Sequence, residues 1–172
     1  MSRSVHILGL LRDEDIAWIA QVGLRVTLPA GQPLVEEGRR NSFLHIILSG
    51  AFLVTSRSTG DRHISVMQRG EVIGELSFLD ARPPSATVRA VRASQVLAIT
   101  RSEVARKLDT DLGFAARFYR ALGITLATRL RALTRGGAQA TEEEGEATSA
   151  GHAAADEARF EAVMRRLAGE LV

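Results

Sequence analysis

The sequence predicts a mainly β protein with flanking helices, and three observations carry that reading. Short runs rich in β-branched and apolar residues fill the stretch from Leu24 to Thr100, each cut by a turn that contains glycine. About eight such runs recur at roughly ten-residue spacing, the pattern of a sandwich, roll or barrel. Helical periodicity is confined to the flanks, before Gly23 and after Thr100.

The N-terminal flank places Leu10, Leu11, Ile16, Ile19 and Ala20 at helical spacing, with Asp13 as the N-cap and Trp18 as a core anchor. The predicted strands are Arg25–Leu28, Pro33–Glu36, Phe43–Leu48, Ala51–Ser56, His63–Gln68, Val72–Ile73, Ala86–Val91 and Gln95–Ile99. Pro29-Ala30-Gly31, Gly38, Ser49-Gly50, Ser58-Thr59-Gly60-Asp61 and Gly70 punctuate them. Helix resumes at Thr100, where Thr100 and Glu103 have capping-box spacing. After a break at Asp109-Thr110-Asp111, a long helix runs from Leu112 to Thr134, with Leu112, Phe118, Leu122, Leu126, Leu130 and Leu133 along one face. Arg129, Arg131 and Arg135 near its end are accounted for by the negative pole of the helix.

Residues 136–153 are low in complexity and acidic, the composition of a flexible linker. From Ala154 the chain turns helical again. Phe160, Val163, Met164, Leu167, Ala168 and Leu171 form one apolar stripe. It has to bury against its own domain, a second copy, or another protein. The predicted organisation is therefore a domain over 1–135, a linker over 136–153 and an amphipathic helix over 154–172.

Composition narrows the function. The 172 residues are 45% apolar and 24% charged, with a net charge of +2. No basic stripe is present, which argues against nucleic acid as a partner. Absence of cysteine removes disulfides, thiolate metal sites and cysteine nucleophiles. No apolar run approaches the ~20 residues of a membrane span. A cytoplasmic protein without a membrane anchor is expected. His6, His45, His63 and His152 show no metal-ligand spacing, and neither Ser49 nor Ser77 sits in a nucleophile elbow. No enzyme and no metal site are expected.

The informative stretch is Gly70 to Val88. A strand ends at Ile73, Gly74 turns the chain, and Glu75–Leu79 can form a single helical turn before a strand resumes near Ser85. A helix opening after glycine presents free backbone N–H groups, which suit an anion. The Glu75 carboxylate can accept hydrogen bonds from a sugar hydroxyl, although an acid at a helix start is also favoured by the dipole alone.

Gly74-Glu75-Leu76, followed by Pro84-Ser85-Ala86-Thr87-Val88, resembles the phosphate-binding cassette of cyclic nucleotide-binding domains. The likeness extends over about residues 8–135, through the Glu36-Glu37-Gly38 turn and the Ile46–Gly50 strand end. It implies an eight-stranded, jelly-roll-like β-roll of the catabolite activator protein type, with an N-terminal helix and C-terminal hinge and lid helices. It also implies that Glu75 binds the ribose 2′-hydroxyl. The backbone around Gly74, Leu76 and Ser77 would face the cyclic phosphate, Ser85, Ala86 and Thr87 would close the other side, and Leu126–Thr134 would cover the base.

One position departs from the pattern. Where the family places a phosphate-binding arginine, this chain has Pro84. The nearest arginine is Arg82, either a phosphate ligand reaching from the loop or a solvated loop residue. A missing charge-assisted bond of roughly 1.5–3 kcal/mol predicts about 10- to 100-fold weaker binding, or a different ligand.

Two functions compete. One is a sensor for cAMP or cGMP that forms a homodimer through the long helix and signals to an effector protein through the C-terminal helix. The other is a degenerate roll that keeps the scaffold as an interaction or dimerisation module without binding nucleotide. No helix-turn-helix reader is discernible after the long helix, so a DNA-binding regulator is not expected.

Overall fold

The computed structural model describes residues 7–60, 62–136 and 150–170. A 3-10 turn at Ile7–Leu10 leads into α1 (Asp13–Val22), followed by β1 (Leu24–Leu28), β2 (Pro33–Val35), β3 (Phe43–Ser49), β4 (Ala51–Ser56), β5 (Arg62–Gln68) and β6 (Val72–Ile73). Then come α2 (Glu75–Asp80), β7 (Thr87–Ala90), β8 (Ser94–Thr100), α3 (Arg101–Thr110), α4 (Leu112–Gly136) and α5 (Ala150–Ala168).

The eight strands form two four-stranded antiparallel sheets, ordered β1-β8-β3-β6 and β2-β7-β4-β5. Each strand alternates its side chains between two faces. In the central strands of the first sheet, β8 and β3, both faces are covered. Leu44, Ile46, Leu48, Leu97 and Ile99 pack into a cluster with helical residues. Ile47 and Val96, on the same two strands, pack inward with Phe52, Met67, Ile73 and Val88 of the roll interior. Double coverage explains why β3 and β8 read as unbroken apolar runs. By contrast β5, an edge strand, buries only Met67.

Gly50 turns β3 into β4 with φ 90°, and a Cβ there would stand 2.7 Å from the Ser94 Cα. Both the conformation and the close approach require glycine.

Helix boundaries follow capping chemistry. The N-cap of α1 is Arg12, one residue before the expected Asp13, because Asp15 reaches back to accept from the Arg12 backbone N–H at 2.8 Å. Thr100 caps α3 as expected, its hydroxyl accepting from Glu103 N at 3.2 Å. Asp111 ends α3 and opens α4, accepting from Phe114 N at 2.8 Å.

The long helix differs from the expectation. Its buried residues are Phe114, Phe118, Ala121 and Leu122, whereas Leu112, Leu130 and Leu133 are exposed. Thus α4 carries two apolar faces, and only the first packs on the roll. Phe114 meets Trp18 edge-on at 5.3 Å and stacks with Phe118 at 5.4 Å. Arg117 locks the helix to α1 through two bonds to the buried Asp15, at 2.7 and 2.8 Å. Burial alone would raise the Asp15 pKa; these bonds and the Arg12 N–H hold it below the usual carboxylate value.

The stripe of α5 packs on its own domain. Val163, Met164 and Leu167 are buried in the cluster beneath the helices, with Phe160 beside them. Arg69 fixes Glu161 with a two-pronged ion pair, and Arg25 Nε donates to the Leu167 carbonyl at 2.9 Å. The helix begins at Ala150, earlier than expected. Of the expected linker over 136–153, Gly136 closes α4 and 150–153 open α5, while 137–149, like Leu171, lie outside the described residues. No described helix is long and apolar enough to cross a membrane.

Candidate functional site

The cassette is built between β6 and β7. Gly74, with φ 97°, caps α2 and sends Glu75 inward. A Cβ at Gly74 would stand 2.7 Å from the Asn41 amide nitrogen and 2.9 Å from the Phe43 carbonyl, so only glycine fits. The six-residue α2 ends at Ala81, whose φ of 57° is the one positive value outside glycine among the described residues. Such a conformation stores backbone strain, of order 1 kcal/mol or more.

Glu75 is 4% exposed, an unusual place for a carboxylate. Its partner is Arg129 of α4, whose Nη1 donates to Glu75 Oε1. Arg129 also donates to the Val72 carbonyl at 3.2 Å and lies 3.7 Å from the Glu71 carboxylate. Burial pushes the Glu75 pKa above its usual value, and the Arg129 charge pulls part of that shift back. The site thus holds an acid almost wholly shielded from water and tied to α4. A second tie is apolar: Phe78 of α2 meets Phe118 of α4 edge-on at 6.1 Å.

The other expected residues divide. Ser77 is buried on α2, while the Leu76 side chain is largely exposed. Pro84 accepts from Gly38 N at 2.8 Å, and Thr87 Oγ1 accepts from Glu37 N at 3.1 Å. These bonds pin the Glu36–Gly38 turn to the strand returning through Ser85 and Ala86. Arg82 lies at the surface with its side chain 83% exposed, 3.7 Å from Asp80.

Arg129 was not distinguished in the sequence from an ordinary helix-end cation. Its position one turn after Leu126 and two turns after Leu122 is the only local hint that it faces the cassette. Asn41, which bonds to Phe43 beside Gly74, and Arg101, which bonds to the Ser77 carbonyl, carry no sequence signal.

His45 sits on β3 opposite Ile73, the last residue before Gly74. It is buried, and its Nδ1 finds no hydrogen-bond partner among the described residues. Burial lowers its pKa to about 4. A base depressed in the fold takes its proton more readily when unfolded. Its contribution is intact above pH ~6.5 and is lost as the pH falls toward 4, by about 3 kcal/mol. Glu75 acts in the opposite sense, favouring the fold at low pH and losing that benefit as the pH rises through its elevated pKa. The difference between wild type and His45→Leu isolates the histidine: urea midpoints should fall less steeply for the variant between pH 6.5 and 4. Parallel acid limbs would remove burial of the imidazole as the cause.

Two antiparallel sheets closed by helices, with a glycine-led helical insert that carries a buried acid beneath α4, define a β-roll with a helical cassette between β6 and β7. The family model described as "Cyclic nucleotide-binding domain" matches residues 25–111, and the chain belongs to that family. A cGMP-dependent protein kinase of Eimeria tenella is 36% identical over 78 residues, 45% of this chain and 8% of the kinase. The chain therefore spans less than a tenth of that relative. Among solved structures, the catabolite activator protein of Thermus thermophilus superposes with a TM-score of 0.63 at 25% identity, covering 74% of this chain and 61% of that one. The N-terminal domain of a transcriptional regulator from Streptomyces coelicolor gives 0.60 at 28% identity, with coverage of 79% and 94%. The eight-stranded roll with flanking helices is thus the fold the sequence predicted.

Proposed function

We propose that this domain is a cytoplasmic, non-catalytic sensor of cAMP or cGMP, in which ligand and Arg129 compete for Glu75. The carrying observation is the buried Glu75–Arg129 pair between cassette and lid. A ribose 2′-hydroxyl can donate to the Glu75 carboxylate in place of the guanidinium. The backbone at Gly74, Leu76 and Ser77 would take the cyclic phosphate, with Ser85, Ala86 and Thr87 opposite. Arg82 is free of strong partners, its contact with Asp80 being long and exposed, and it is the phosphate cation within the cassette. Binding moves the lid only to the extent that ligand prefers one position of α4.

A second reading, a degenerate roll without nucleotide binding, draws on the same pair. Arg129 already satisfies Glu75, and Pro84 stands where a cation is usual. Isothermal titration of the protein with cAMP, cGMP and a cyclic dinucleotide separates the two. Saturable heat with cAMP or cGMP supports the sensor. Silence from well-folded protein with all three supports the scaffold.

The second apolar face of α4 supports a homodimer. Leu112, Ala116, Tyr119, Gly123, Leu126, Leu130 and Leu133 alternate at four- and three-residue steps, the seam of a paired helix. Gly123 weakens the helix by roughly 1 kcal/mol relative to alanine, yet a Cβ there would meet nothing within 4 Å. Close approach of a second helix gives that glycine a purpose. Sedimentation at high micromolar concentration should show a dimer, and Gly123→Glu should leave a folded monomer. A wild-type monomer under those conditions removes the proposal. Signalling to an effector through α5 would require that helix to leave the core it now completes.

A further inference from the structure

We infer that Arg101, the first residue of α3, is the positioning residue that sets where the cassette helix sits against the roll; this rests on the sensor reading above for its consequence in ligand binding. A six-residue helix has little intrinsic stability, because nucleation is unfavourable and few bonds repay it. Its carbonyls from Ser77 onward have no partner within the helix. Tertiary contacts must therefore fix α2, and beside the Glu75–Arg129 pair one further guanidinium reaches its backbone.

Arg101 Nη2 donates to the carbonyl of Ser77, the third residue of α2 and the first whose carbonyl the helix leaves open. Its Nη1 donates to the Asn41 carbonyl at 3.1 Å. The Asn41 side chain donates to the Phe43 carbonyl at 2.7 Å and accepts from Phe43 N at 3.1 Å, which fixes it against Gly74 at the start of α2. Arg101 thus grips the helix directly at its middle and, through Asn41, at its start. The guanidinium also lies 5.8 Å from the centre of the Phe78 ring, which in turn contacts Phe118 of α4. The Arg101 backbone N–H donates to the Ser42 carbonyl at 2.9 Å, so the clamp is anchored where β8 passes into α3. One side chain joins the cassette, the loop that enters β3 and the start of α3. Arginine is suited to this because its planar fork reaches two carbonyls at once, whereas lysine offers one point charge.

The test compares wild type, Arg101→Gln and Arg101→Lys by calorimetric titration with cAMP and cGMP, and by backbone amide order parameters without ligand. Arg101→Gln should bind about tenfold more weakly or worse, with Arg101→Lys between it and wild type. Order parameters should fall in residues 75–80 of Arg101→Gln and stay near the rigid value in β3 and β8. A merely structural role would lower the melting temperature without loosening α2. Cassette order parameters equal to wild type, or wild-type affinity in a folded Arg101→Gln, overturn the inference. Should Arg101→Gln fail to fold, the Arg101→Lys data decide by the same two readings. If wild type binds neither nucleotide, the sensor reading fails, and the order parameters alone still decide the role of Arg101.

Discussion

Glu75→Ala should abolish or severely weaken nucleotide binding. A hydrogen bond between a sugar hydroxyl and a carboxylate contributes about 1.5–3 kcal/mol, or roughly 10- to 150-fold in affinity. The upper end applies here, because the acid is 4% exposed and water competes poorly for it. The fold should survive. Burying the carboxylate opposes its ionised form, and the Arg129 side chain, 31% exposed, can turn to solvent once its partner is gone. Melting temperature is therefore expected to change by only a few degrees while the titration heat disappears. Unchanged affinity in the variant would move the sugar site elsewhere.

Phe114→Ala should be the most damaging truncation of the helical layer. The ring is fully buried and touches Trp18 and Phe118, and Lys107 Nζ lies 5.6 Å from its centre. Removing it leaves a cavity that rigid neighbours on three elements cannot close. Large aromatic truncations of this kind cost about 3–5 kcal/mol, which for a chain of this size lowers the melting temperature by roughly 10 °C. Leu112→Ala is the control on the same helix. That side chain is 81% exposed, so a monomer should lose less than about 0.5 kcal/mol. Urea titration at low protein concentration reads both variants. Equal losses would mean that the inward face of α4 has been misassigned.

That pair of residues also shows where sequence reasoning stops. The strands were legible because their boundaries are written locally: glycines with left-handed backbones at Gly50, Gly70 and Gly74 end them wherever the chain sits. The expected β4 and β6 coincide with Ala51–Ser56 and Val72–Ile73. The cap of α3 was legible for the same reason. The inward face of α4 was not, because the helix carries two apolar stripes and periodicity cannot rank them. Packing on Trp18 selects Phe114, whereas an expected stripe member, Leu112, points away. The site divides similarly. Gly74 and Glu75 belong to a contiguous motif. Arg129 meets Glu75 across 54 residues, and Arg101 meets Ser77 across 24. No spacing rule reaches that far, and the C-terminal helix needed the fold itself to show which surface its stripe covers.

Burial of β3 and β8 on both faces has a practical consequence. With helices on one side and the second sheet on the other, their amide protons meet solvent only when the whole molecule opens. Their deuterium uptake is then a gauge of global unfolding, blind to events at the pocket. Any small molecule that binds the folded form must slow that uptake by the factor 1 + [L]/Kd. Two strands that never touch a ligand can thus weigh it, even where the cassette gives no optical signal.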